Sequence, residues 1–141
     1  MEQQENFLGG WNYYEHHDEF TDELTHVGAQ VVDLSVAVVG YPNNNNIIFV
    51  IHPKYFIEDY DKTTEVVKIR IDKDKAETYY AHINRGDEQD IVFINTAHDL
   101  AKRMVKGNKM VVQVGDQDIM RISLQGSLES IEKVLTKCNR W

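Results

Sequence analysis

Apolar residues along the chain fall into two rhythms. Through the first two thirds they mostly alternate with polar ones, and in the last third the spacing lengthens to that of helices. The stretch from Asp90 to Cys138 organises the rest. It predicts a strand, a helix, a tight hairpin and a second helix. Ile91 to Ile94 is the strand. Thr96 with Asp99 three residues on resembles a capping box, in which a hydroxyl satisfies a free N–H and a carboxylate reaches back. Ala97, Leu100, Ala101, Met104 and Val105 follow at helical spacing. Lys102, Arg103 and Lys106 suit the negative end of that helix, and Gly107 stops it. Met110, Val112 and Val114 alternate, as do Met120, Ile122 and Leu124. The short link Gly115-Asp116-Gln117-Asp118 joins them as a hairpin. Gly126-Ser127 opens the last helix. Leu128, Ile131, Leu135 and Cys138 are expected to form its buried stripe, with Glu129 and Lys133 paired on the wet side.

Upstream the pattern predicts sheet. Trp11 to Tyr14 reads as a short aromatic strand. Residues 15–26, EHHDEFTDELTH, are the densest polar patch and are expected as a loop or a single helical turn. Val27 to Val39 reads as one half-buried strand, with Val32, Leu34, Val36 and Val38 on one face and Asp33 and Ser35 on the other. Gly40-Tyr41-Pro42 and four asparagines make a turn. The apolar run Ile47 to Ile51 fits a central strand covered on both faces, and His52-Pro53 ends it. Tyr55, Phe56, Ile57 and Tyr60 form an aromatic segment. Val67, Ile69 and Ile71 point inward from the next strand, and Lys68 and Arg70 outward. Residues 76–83 return as a strand. The fold class is α+β: an antiparallel, β-sandwich-like sheet with two helices in the C-terminal third. Residues 1–10 are expected as a flexible tail and 11–141 as a single domain.

Charge narrows the function. With 23 acidic against 15 basic residues the formal net charge is −8. That argues against nonspecific nucleic acid and anionic membranes, which need basic surface, and suits a protein partner with a basic face. No apolar run approaches the roughly 20 residues needed to span a bilayer. The start, MEQQENFLGG, has neither the basic nor the apolar region of a secretory signal, and Cys138 has no second cysteine to pair with. A cytoplasmic location is expected. Oligomeric state is left open.

The order of elements resembles a family. A tryptophan comes early, then Phe20-Thr21-Asp22 after a polar stretch, the run Ile47 to Ile51 and the strand Val67 to Asp72. Lys109 to Val114 follows a glycine-terminated helix, and Ile122-Ser123-Leu124 leads through Gly126-Ser127 into a helix ending at Cys138. Over residues 11–138 this looks like the accessory proteins of type VI secretion systems and related invasion-associated proteins of bacteria and phages. The resemblance implies a β-sandwich-like domain with two helices that acts through protein contacts without catalysis. It also implies a cysteine partner near the end of Ile47 to Ile51, where this chain has Ile51-His52-Pro53. A cytoplasmic relative, carried by a phage or mobile element, accommodates that departure.

Candidate chemistry centres on residues 13–26. Tyrosine and carboxylate side chains there suit a partner contact: Tyr13, Tyr14, Glu15, Asp18, Glu19, Asp22 and Glu23. The module would serve as an inhibitor or adaptor. Two alternatives stand beside it. One is a structural subunit of a larger assembly such as a virion or secretion machine. The other is a metal-binding protein or metal-dependent enzyme using His16, His17, Asp22 and His26, although adjacent histidines point apart on a strand and the spacing matches no established zinc motif. His52, His82 and His98 become catalytic candidates only if folding brings one beside Ser35, Ser123 or Cys138. Cys138, on an apolar stripe, reads as a small buried hydrophobe. No catalytic residue and no cofactor are expected.

Overall fold

The alternating stretches join into one continuous sheet. The computed structural model describes residues 10–141, so the expected tail lies outside the described residues except for Gly10. The strands are β1 (Trp11–His17), β2 (Leu24–Val31), β3 (Val36–Tyr41), β4 (Asn46–Ile51), β5 (Thr64–Ile71), β6 (Glu77–Asn84), β7 (Ile91–Ile94), β8 (Lys109–Val114) and β9 (Met120–Ser123). The helices are α1 (His98–Val105) and α2 (Ser127–Lys137). The strand order is β1-β2-β3-β4-β7-β6-β5-β8-β9, and every neighbouring pair is antiparallel. The class is α+β, with both helices in the last third. The two outermost strands approach each other: the Trp11 indole Nε1 donates to the Ser123 carbonyl at 2.9 Å, so the sheet is curled.

One face of that sheet meets the helices. Val27, Ala29, Val31, Val36, Val38, Ile47, Phe49 and Ile51 share a core with Leu100, Ala101 and Met104 of α1 and with Ile131, Val134 and Leu135 of α2. On β5, Val67, Ile69 and Ile71 are buried and Lys68 and Arg70 exposed, as the pattern predicts. β4 is central, hydrogen-bonded to β3 and β7, yet its burial alternates, so its outer face is only half covered. α2 comes very close to β3. A Cβ on Gly40 would lie 2.5 Å from Cys138 Sγ and 2.9 Å from a Val134 methyl, so only glycine admits the helix at this distance.

Four expectations are corrected. The polar patch 15–26 is neither loop nor helical turn: β1 runs on to His17 and β2 begins at Leu24, leaving residues 18–23 as a hairpin tip. The stretch Val27 to Val39 is two strands. Val32 and Leu34 stand exposed in the turn between them, where Leu34 takes a left-handed φ of 66° and the Asp33 carboxylate accepts the Ser35 N–H at 3.1 Å. That local bond outcompetes the alternation, as aspartate does in turns. Thr96 does not cap α1. Its own φ is 52°, no side chain caps the helix, and the Ala97 N–H donates to the Ile47 carbonyl of β4 at 2.7 Å. Leu128 is half exposed, because α2 buries Ser127, Ser130, Ile131, Val134 and Leu135 instead. Two small serines on the buried side let the helix sit low on the sheet and turn Leu128 outward.

The connection between β4 and β5, residues 52–63, has to pass two strands, because β7 and β6 lie between them. Arg85, in the β6–β7 turn, fastens it. Its guanidinium donates to the carbonyls of Ile57 at 2.7 Å, Asp59 at 2.7 Å and Lys62 at 3.1 Å, and to Asp90 Oδ2 at 2.9 Å. The Asp90 side chain is buried and also accepts the Ile57 N–H at 2.8 Å. Removing the Asp90 carboxylate leaves the buried Ile57 N–H without an acceptor and the half-buried Arg85 without its counter-charge. Asp90→Ala is therefore expected to cost about 3 kcal/mol or more of unfolding free energy in urea titration. A loss within the roughly 0.5 kcal/mol typical of surface changes would show that the connection holds itself.

Candidate functional site

The first hairpin carries the candidate residues, and its tip is built by its own short-range bonds. Asp18 Oδ1 accepts the N–H of Phe20 at 2.7 Å and of Thr21 at 3.0 Å, an Asx-type turn. The Asp18 N–H donates to the Glu23 carbonyl at 2.8 Å, and the Asp22 N–H to the Asp18 carbonyl at 2.9 Å. Asp22 adopts φ 62°, a conformation aspartate tolerates. The Phe20 and Thr21 N–H groups hold the Asp18 carboxyl below its ordinary value, so it is ionised at neutral pH. Glu19, Asp22 and Glu23 are exposed around it, and Phe20 stands 95% exposed in their midst.

The two tyrosines lie on opposite faces of β1. Tyr14 packs on the outer face over Gly28, where a Cβ would lie 2.2 Å from the ring. It belongs to an aromatic group: the His26 ring stacks on His16 at 4.8 Å, and Tyr14 and Tyr41 each lie 6.0 Å from His26. Tyr13 points to the helix side. Its hydroxyl donates to Glu15 Oε2 at 2.8 Å, and Lys133 Nζ of α2 lies 5.2 Å from its ring centre. Burial and then the Glu15 bond raise its phenol well above the ordinary value. Glu15 is lowered in turn, chiefly by the Tyr13 hydroxyl and then by His17. Lys137 Nζ of α2 approaches Glu15 to 3.8 Å. Between β1 and α2 runs a groove of ≈ 560 Å³, with Leu128 and Glu132 along its helix side.

The fallback metal ligands do not converge. His16 and His26 stack on the outer face. His17, beyond a register shift, turns to Glu15 Oε1 and the Asp22 carbonyl, each at 3.3 Å. Among the described residues no group of three His, Cys, Asp or Glu side chains is placed to hold a metal. Of the other histidines, His52 faces Ser35 across the β3–β4 ladder, its N–H donating to the Ser35 carbonyl at 2.8 Å. The Ser35 hydroxyl itself is buried without a hydrogen-bond partner, and His52 Nδ1 meets the Gln89 amide at 3.1 Å. His82 stacks on Phe93, and His98 lies 3.9 Å from Asp99. Cys138 is fully buried, and burial raises its thiol.

Two features escape the sequence reading. Phe20 is the most exposed large apolar residue described, and its only signal is an aromatic set among acids in a turn. The second is a cleft of ≈ 530 Å³ between the 52–63 connection and the β8–β9 turn. Its rim carries Tyr55 and Phe56, and Glu58, Asp59, Asp116 and Asp118 line it. Gln117 braces the cleft by donating to the Tyr55 carbonyl at 2.9 Å. Those residues lie far apart in sequence, so no local pattern announces it.

Two half-buried histidines set a pH dependence. Burial, and secondarily His16, hold His26 below the ordinary imidazole value; burial does the same to His52. The unfolded chain therefore takes up protons at higher pH than the native one. The stabilisation is complete above about pH 6.5 and is lost as pH falls below it. His26→Gln is expected to flatten the decline in melting temperature between about pH 7 and 5. An unchanged slope would assign the decline to other groups. In comparisons with known proteins, no family model, curated protein or solved structure matches the chain.

Proposed function

We propose that this protein is a non-catalytic binding module that engages a protein partner with a basic surface through its first hairpin. One observation carries the reading: Phe20 stands 95% exposed at a tip shaped by its own hydrogen bonds, ringed by Asp18, Glu19, Asp22 and Glu23. A large ring held in water is stabilised when a partner buries it, by about 1.5–3 kcal/mol for a phenylalanine side chain. The surrounding carboxylates add orientation and speed of encounter more than affinity. A buried aromatic anchor carries much of a contact's energy, and polar groups form its solvent-accessible rim.

An accessory role, as inhibitor or adaptor, follows from that chemistry and agrees with the resemblance to secretion-associated and invasion-associated proteins. The Trp11–Ser123 bond between the outermost strands supports the sandwich-like form which that resemblance implies. A cytoplasmic setting suits a chain whose single cysteine is buried.

Affinity capture from lysate at low and moderate salt tests the proposal. One stoichiometric partner is expected, held less well as salt rises. Phe20→Ala should weaken its binding about tenfold or more. Asp18→Asn with Glu19→Gln, Asp22→Asn and Glu23→Gln should remove most of the salt dependence while keeping the turn. A partner held equally by all variants would sink the proposal.

A further inference from the structure

The edge beside that tip is unfinished. The Gly10 carbonyl accepts the Val32 N–H at 3.0 Å, and Gly10 and Val32 continue the register in which Trp11 faces Val31. Along an antiparallel strand the groups turned toward the partner alternate. Asn12, Tyr14 and His16 therefore spend their N–H and C=O groups on β2, and Trp11, Tyr13 and Glu15 turn theirs to the open side. Among the described residues no hydrogen bond reaches those outward groups. The opposite edge, β9, is shorter, at four residues against seven, and its Ser123 carbonyl is already taken by Trp11.

α2 forms a wall along this open edge. A strand added to β1 would sit about 4.8 Å beyond it. Its alternate side chains would then drop into the ≈ 560 Å³ groove against α2. An apolar side chain fits between the Tyr13 ring and Leu128, which is 50% exposed. Lys133 and Lys137 are already engaged, with Glu129 and Tyr13 and with Glu15 respectively. Glu132 has no ion-pair partner among the described residues, and the carboxylates of the tip lie past the strand's far end. The charge left over is negative.

We infer that β1 takes up an extended segment of a partner protein as an additional strand. That segment carries an apolar side chain opposite Tyr13 and Leu128 and lysine or arginine toward the tip. Main-chain bonds to Trp11, Tyr13 and Glu15 give it affinity, and the groove and tip select its sequence. The inference rests on the protein-binding reading and adds the partner's conformation and composition.

The test pans a display library of random short peptides against the intact protein and measures the enriched peptides by fluorescence anisotropy. Enriched sequences should alternate apolar residues with Lys or Arg and lack proline at their centre. Glu15→Pro removes an outward N–H without touching the β1–β2 ladder, so it is tolerated on an edge. It should weaken binding about tenfold or more, and Glu15→Gln by about threefold at most. Amide exchange at Trp11, Tyr13 and Glu15 should slow on binding. Methylating alternate backbone nitrogens of the peptide should abolish binding, a readout that does not depend on how any protein variant folds. Peptides that tolerate methylation at every position and leave those three amides unprotected would overturn strand addition. If such peptides still respond to Phe20→Ala and to neutralising the tip, the binding module stands and only the added strand falls. Recovery of no binder, or of binders indifferent to both sets of changes, would count against both.

Discussion

One guanidinium keeps the sheet in order. β4 pairs with β7, so two strands, β5 and β6, and a long connection lie between it in sequence and its neighbour in space. That arrangement holds only if the connection stays down on the strands it passes. Its carbonyls at Ile57, Asp59 and Lys62 point to one place, and Arg85 supplies the donors. Asp90 balances the charge and fixes the Ile57 N–H. A lysine would offer the charge without the planar fork that reaches several acceptors at once. The ion pair is thus less a source of net stability than a device that selects one path for the chain.

Much of the architecture was legible because periodicity reports burial. The strand Val67 to Ile71, the return strand after it and the hairpin from Met110 to Ile122 stand where alternation puts them. The failures have two causes. At Asp33 a local turn bond to Ser35 overrides the alternation, and at Thr96 and Leu128 local propensity or spacing loses to a tertiary contact that no short window contains. Thr96 loses its capping role because β4 already offers the Ile47 carbonyl to the following N–H. Leu128 leaves the buried stripe because serines on α2 permit a closer seat.

The candidate site divides in the same way. The acids and tyrosines of residues 13–23 were visible as a composition, and the turn of Asp18 gathers the acids. Their partition was not visible. Tyr13 and Glu15 belong to a groove completed by α2, Tyr14 to an aromatic group on the opposite face, and Phe20 to neither. Lys133 and Lys137 shape the groove from more than a hundred residues away in sequence, and no reading of the hairpin alone could have enlisted them.

The bond from Trp11 to Ser123 joins residues 112 positions apart. The inner faces of β2 and β3 are likewise covered by α2, which follows them in sequence only after every other strand of the sheet. These strands therefore leave the ribosome well before the helix that covers them has been made. Through that interval the apolar side of the opening hairpin stays bare, and the nascent chain depends on its abundant negative charge, or on a chaperone, to keep from sticking to its neighbours.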